Sequence, residues 1–114
     1  MKKGILSRGH FVTGPLVKGP FITEPSQLCY EGMLFKYPNI GKHTFWMKNT
    51  YIPLDVIYFD NESNVIGFIE NNQPHDLTIK GIDRESNSFL EVNGGYVKKN
   101  NVRIGDKFSF TFLK

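Results

Sequence analysis

The sequence predicts an α+β fold that is mostly β: a small barrel-like sheet, antiparallel or mixed, with one or two short helices. Two observations predict it. Alanine, the best helix former, is absent, while Gly and Asn, which favour turns, are abundant. Apolar residues come in short alternating runs separated by turn residues, not in long helical windows. A chain of 114 residues is long enough for one core, so residues 1–114 read as a single domain.

The elements follow in order. Ile5 to Val12 reads as a short strand and Val12-Thr13-Gly14-Pro15 as a turn. A short helix is expected at Glu24 to Tyr30. Gly32 to Phe35 is an apolar strand, and Pro38 to Lys42 a loop. His43 to Asn49 alternates: Phe45, Met47 and Asn49 face one way, Trp46, Lys48 and Thr50 the other. Pro53 delays the next strand to Leu54–Phe59. Asp60 to Asn64 is a polar turn, and Val65 to Glu70 returns as the second arm of a hairpin. Asn71 to Asp76 is a loop and Leu77 to Ile82 a strand or strand-like edge. Ser88 to Asn93 is a strand that stops at Gly94-Gly95. Asn100 to Gly105 reverses the chain, and Lys107 to Leu113 alternates as a last strand.

The formal net charge is +3, set by scattered lysines. Nucleic-acid binding usually needs a contiguous basic face, so a nucleic-acid partner is not expected. Cys29 is the only cysteine, which excludes an intramolecular disulfide and a cysteine metal cluster. His10, His43 and His75 are dispersed without metal-ligand spacing, so neither a metal nor a cofactor is expected. His75, between Pro74 and Asp76, reads as a solvated loop residue. No apolar run resembles a signal peptide or a membrane span. A cytoplasmic protein is expected, from a low-GC microbe or phage given the Lys and Asn excess.

The densest chemistry lies between Gly32 and Asp60. Much of the aromatic weight there surrounds Lys48, Asn49, Thr50 and Asp55. Polar groups inside apolar runs need partners, because burying an unpaired one costs a few kcal/mol. Lys48 is either a stem packed along Trp46 with its ammonium in water, or a cation aimed at an anionic ligand. Asp55 either caps backbone N–H groups at a strand start or faces the same cleft. Asn49 and Thr50 satisfy turn backbone or hydrogen-bond a ligand. Alternation puts Glu91 with Phe89 and Asn93 on one side of their strand. If Trp46 is exposed beside Lys48, the pair forms an aromatic floor with a charged rim.

Three stretches carry a family resemblance: Gly32-Met33-Leu34-Phe35, Phe45-Trp46-Met47-Lys48-Asn49-Thr50 and Ile52-Pro53-Leu54-Asp55-Val56-Ile57. Phe89-Leu90-Glu91-Val92-Asn93-Gly94-Gly95 and Asn101-Val102-Arg103-Ile104-Gly105-Asp106-Lys107-Phe108 extend it. Over residues 18–110 the chain resembles the domain-of-unknown-function 192 family, small proteins with no settled activity. Residues 1–17 diverge. The resemblance also implies a first helix near Val17-Lys18-Gly19-Pro20-Phe21, where Pro20 would break or restart it.

The resulting expectation is non-catalytic binding, by sequestration, of a small polar or anionic ligand of the sugar or nucleotide type. The candidate ligand-binding residues are Trp46, Lys48, Asn49, Thr50, Asp55, Glu91 and Asn93. Lys48, Asn49, Asp55 and Glu91 are expected in one connected polar cluster. A hydrolase or lyase using Asp55 or Glu91 and a protein-interaction module are the alternatives. Homo-oligomerisation is left open.

Overall fold

A computed structural model describes residues 16–18 and 31–112. The expected strand at Ile5–Val12, the helix at Glu24–Tyr30, the break at Pro20, and His10 and Cys29 lie outside those residues. The described elements are β1 (Leu16–Lys18), β2 (Glu31–Gly41), β3 (Leu54–Phe59), β4 (Val65–Asn72), β5 (Ser86–Asn93), α1 (Tyr96–Lys99) and β6 (Thr111–Phe112). The strands form one sheet in the order β4-β3-β5-β2-β1-β6, and every neighbouring pair is antiparallel. The mostly-β reading with a short helix holds.

β3 and β5 are interior strands of the sheet, and all six residues of β3 are buried. The cause is that both faces of the sheet are covered. Leu54, Val56 and Tyr58 pack with Met33, Phe35, Phe45, Met47, Ile66 and Phe89 on one face. Ile57 and Phe59 pack on the other with Leu34, Val65, Leu90, Val92, Tyr96, Val97, Val102 and Phe108. The first face is covered by residues near 45–47, the second by α1 and the chain after it. β-branched and aromatic residues suit a strand packed on both sides. Phe89 is the centre of the first face, with ring centroids 5.0 Å from Phe35 and 5.1 Å from Tyr58.

Several boundaries differ from expectation. β2 runs on through Pro38 to Gly41 because its register with β5 shifts between Lys36 and Gly41. A bulge tolerates a residue that lacks an N–H. β4 reaches Asn72 and carries two irregularities, one opposite Tyr58/Phe59 and one opposite Leu54/Val56. Residues 43–49 and 77–82 do not form regular strands; a single bridge, Phe45 to Lys80, joins them. α1 occupies the four residues after Gly94-Gly95.

The barrel-like sheet is not closed: among the described residues no ladder joins β4 to β6. One segment leans on both borders instead. The Gly105 N–H donates to Val65 O at 2.8 Å, and Phe108 donates to Ser63 O at 3.0 Å. Thr111 and Phe112 then pair with Lys18 and Val17 of β1.

The β3–β4 turn is held by Asp60, whose Oδ1 accepts the backbone N–H groups of Glu62 and Asn64, both at 2.9 Å. Burial pulls the Asp60 carboxyl upward. The N–H groups of Asn64 and Glu62, the Asn64 amide and the Lys107 charge outweigh it, so the carboxyl sits below its ordinary value.

Two outcomes follow from this packing. A Cβ on Gly32 would stand 2.7 Å from Glu91 O, a backbone atom that cannot move alone. Gly32→Ala is expected to cost about 1–3 kcal/mol, read as a lower denaturant midpoint. The second outcome is acid sensitivity of the turn. A carboxyl held low in the folded state stabilises above its unfolded value of 3.8. That stability is lost as pH falls through the lower folded value. Asp60→Asn should lower stability at neutral pH and flatten the acid limb of a pH–stability curve; an unchanged limb would assign the acid sensitivity elsewhere.

Candidate functional site

The segment after β2 has to cover an apolar face with one side and meet water with the other. Phe45 and Met47 are buried, Trp46 is half-buried, and Lys48 and Asn49 are exposed. The chain then turns back. The Thr50 N–H donates to Met47 O at 3.1 Å, and Asn49 takes φ 59°, a left-handed conformation that Asn tolerates better than most residues. Thr50 is fully buried, its hydroxyl 3.4 Å from Lys48 O. Lys48 Nζ lies 5.3 Å from the centroid of the Trp46 ring. That is within cation–π range, and it puts the ammonium beside an aromatic surface that is only partly covered.

A second segment docks on this turn. The His75 N–H donates to Met47 O at 3.1 Å and to Thr50 O at 3.2 Å, while the Met47 N–H donates to Asp76 O at 2.9 Å. His75 has φ 63° and is exposed, and its ring meets Tyr51 edge-on at 4.9 Å. Tyr51, Leu77 and Ile79 are 65 %, 60 % and 61 % exposed. The segment is pinned from below. Asn72 is fully buried; its amide donates to Leu54 O at 3.0 Å and Ile69 O at 2.9 Å and accepts from Lys80 Nζ at 3.2 Å. Lys80 also pairs with Asp76 at 3.3 Å. The Thr78 backbone N–H and hydroxyl, aided by Lys80 against the effect of burial, hold the Asp76 carboxyl below its ordinary value.

Asp55 lies elsewhere. It is fully buried, and its Oδ1 accepts the N–H groups of Asn71 at 2.8 Å and Gly95 at 3.2 Å. Its Oδ2 accepts that of Val97 at 2.8 Å. One carboxylate thus joins the β4 bulge to the first turn of α1. Asp55 alternates with Leu54 and Val56 and pairs with Val92, so it faces the α1 side of the sheet.

Glu91 pairs with Val56 and Met33 and faces the other side, also fully buried. The expectation of one cluster of Lys48, Asn49, Asp55 and Glu91 is therefore corrected: the sheet stands between the two carboxylates. They form no acid–base pair, and among the described residues Lys48 makes no salt bridge. Trp46, Lys48, Asn49 and Thr50 are brought together by one turn. Asn93 is exposed at the end of β5, opposite Leu54.

Tyr51, His75, Asn72 and Lys80 were not among the expected site residues. Asn72 and Lys80 gave no local signal, since a buried Asn in a bulge reads like any loop Asn. His75 stood in a recognisable Pro-His-Asp loop, but its docking on residues 47–50 is a long-range contact. Among the described residues no three His, Cys, Asp or Glu side chains gather as metal ligands, and no helix is long and apolar enough to cross a membrane.

The sequence profile of the domain-of-unknown-function 192 family, described as an uncharacterized ACR, matches residues 27–110. The chain belongs to that family. No curated protein matches it. Two solved structures share the fold. One is a protein of Sinorhizobium meliloti 1021 that carries a provisional transcription-regulator name. It is 24 % identical, with TM-score 0.72 over 90 % of this chain and 98 % of that one. The other is a protein of unknown function from Novosphingobium aromaticivorans DSM 12444. It is 26 % identical, with TM-score 0.67 over 85 % of this chain and 84 % of that one.

The three bonds to Asp55 generate an expectation. Removing the carboxylate strands the buried Val97 N–H, a loss of about 1–3 kcal/mol, while the Asn71 and Gly95 N–H groups are only part-buried. Asp55→Ala should therefore cost about 1–3 kcal/mol, measured by urea unfolding. A variant as stable as the parent would remove Asp55 from the framework.

Proposed function

We propose that the chain is a non-catalytic binding protein for a small anionic ring compound of the sugar or nucleotide type, acting by sequestration. The observation that carries this reading is the Lys48 ammonium 5.3 Å over the half-buried Trp46 ring, on an exposed turn. A ring face gives stacking area, and a cation beside it gives a partner for an oxyanion. Asn49 lies on the same turn. Asp55 supports the reading indirectly, as part of the framework. A cytoplasmic setting, independence from metals and a low-GC or phage origin belong to the same proposal.

One observation favours a second reading, a protein-interaction module: Tyr51, Leu77 and Ile79 are exposed apolar side chains on the two segments that meet at His75. Native mass spectrometry of the protein from its host separates the two. A retained small mass supports ligand binding, and a dimer or protein adduct without one supports the module.

Lys48→Ala sharpens the test. Exposed lysines add little to stability, whereas a charged hydrogen bond to an anion is worth roughly tenfold or more in affinity. The variant should melt like the parent and emerge without the retained mass. Equal occupancy in parent and variant would count against Lys48 as the anion partner.

A further inference from the structure

We infer that His75 is a second ligand-contacting residue of this surface, so that the ligand class is a ring compound bearing a phosphate or similar oxyanion contacted by both His75 and Lys48. The inference rests on the binding reading above and deepens it. Its first support is placement. The His75 N–H is bonded to both carbonyls, Met47 O and Thr50 O, that bracket Lys48 and Asn49. The backbone of His75 is thus fixed to the turn that carries the lysine, whatever its side chain does.

The second support is presentation. With φ 63°, His75 holds a left-handed backbone conformation while its side chain stays exposed. Its ring stands at 80° to Tyr51, so the pair offers an aromatic wall and not a closed stack.

The third support is charge. The neighbouring acid, Asp76, is already engaged. Its Oδ1 accepts the Thr78 N–H at 2.9 Å, and its Oδ2 pairs with Lys80 at 3.3 Å. Among the described residues neither Lys48 nor His75 is in a salt bridge. An ammonium and an imidazole on two segments docked together, with Asp76 engaged by Thr78 and Lys80, favour an anion over a neutral sugar.

Trp46 is the only tryptophan, so its fluorescence reports on this surface alone. The probes are adenosine 3′,5′-cyclic monophosphate, which carries one fixed negative charge, and uncharged adenosine. Both are titrated at pH about 6, below the ordinary imidazole pKa of about 6.5. The parent should bind the cyclic nucleotide more tightly than adenosine. His75→Asn keeps a residue that tolerates the left-handed backbone. It should weaken cyclic-nucleotide binding about tenfold and leave adenosine unchanged, while His75→Arg should retain the preference. Unaltered cyclic-nucleotide binding in His75→Asn, or equal loss of both probes, overturns the role of His75 while the Lys48 surface stands. Absence of saturable binding by the parent to either probe overturns both.

Discussion

The structure depends most on a single carboxylate. Asp55 is the second residue of β3, fully buried, and accepts three backbone N–H groups from places far apart in sequence. Two of them, on Gly95 and Val97, belong to the first turn of a helix of only four residues. Such a helix is far too short to stand on its own propensity. It has no side-chain cap of its own, and Asp55 serves in its place from 40 residues away. The third donor is on Asn71, which holds the left-handed kink of the β4 bulge. From that bulge Asn72 drops into the interior, and on Asn72 rests Lys80. The loop that brings His75 to the Lys48 turn is therefore attached, bond by bond, to the Asp55 position.

The two buried carboxylates illustrate what a covered sheet does to polar residues. Asp55 and Glu91 lie on adjacent strands, one residue out of register with each other, since Val56 is the partner of Glu91. In a flat reading they are neighbours. In a pleated sheet with a core on each face, a shift of one residue sends them to opposite cores.

Much of the framework was legible in the sequence because short-range rules decide it. The alternation of Phe45 and Met47 against Lys48, the start of β3 after Pro53 and the Asp60–Asn64 reversal are each set by neighbouring residues. The motif of residues 45–50 gave the family. What was not legible depends on distant partners. α1 has no apolar period to detect in four residues. Pro38 argued for a loop, and only the shifted register with β5 makes it a strand residue. Asp55 and Glu91 were visible as polar interruptions, but their faces follow from a register that sequence alone does not supply. Of the candidate site, residues 46–50 stood out in the sequence as an alternating stretch with polar interruptions, and their turn, like His75 and its supports, comes from long-range docking.

The segment 105–112 has a consequence for the fate of the chain outside its folded state. The same few residues lie along the start of β4 and form the outermost strand beyond β1. Uncovered strand borders are templates for pairing with other chains. Because one stretch shields both borders, fraying of this tail exposes two sticky rims in a single event. Local opening here would uncover strand edges and, with Phe108, part of the core on the α1 side in the same event.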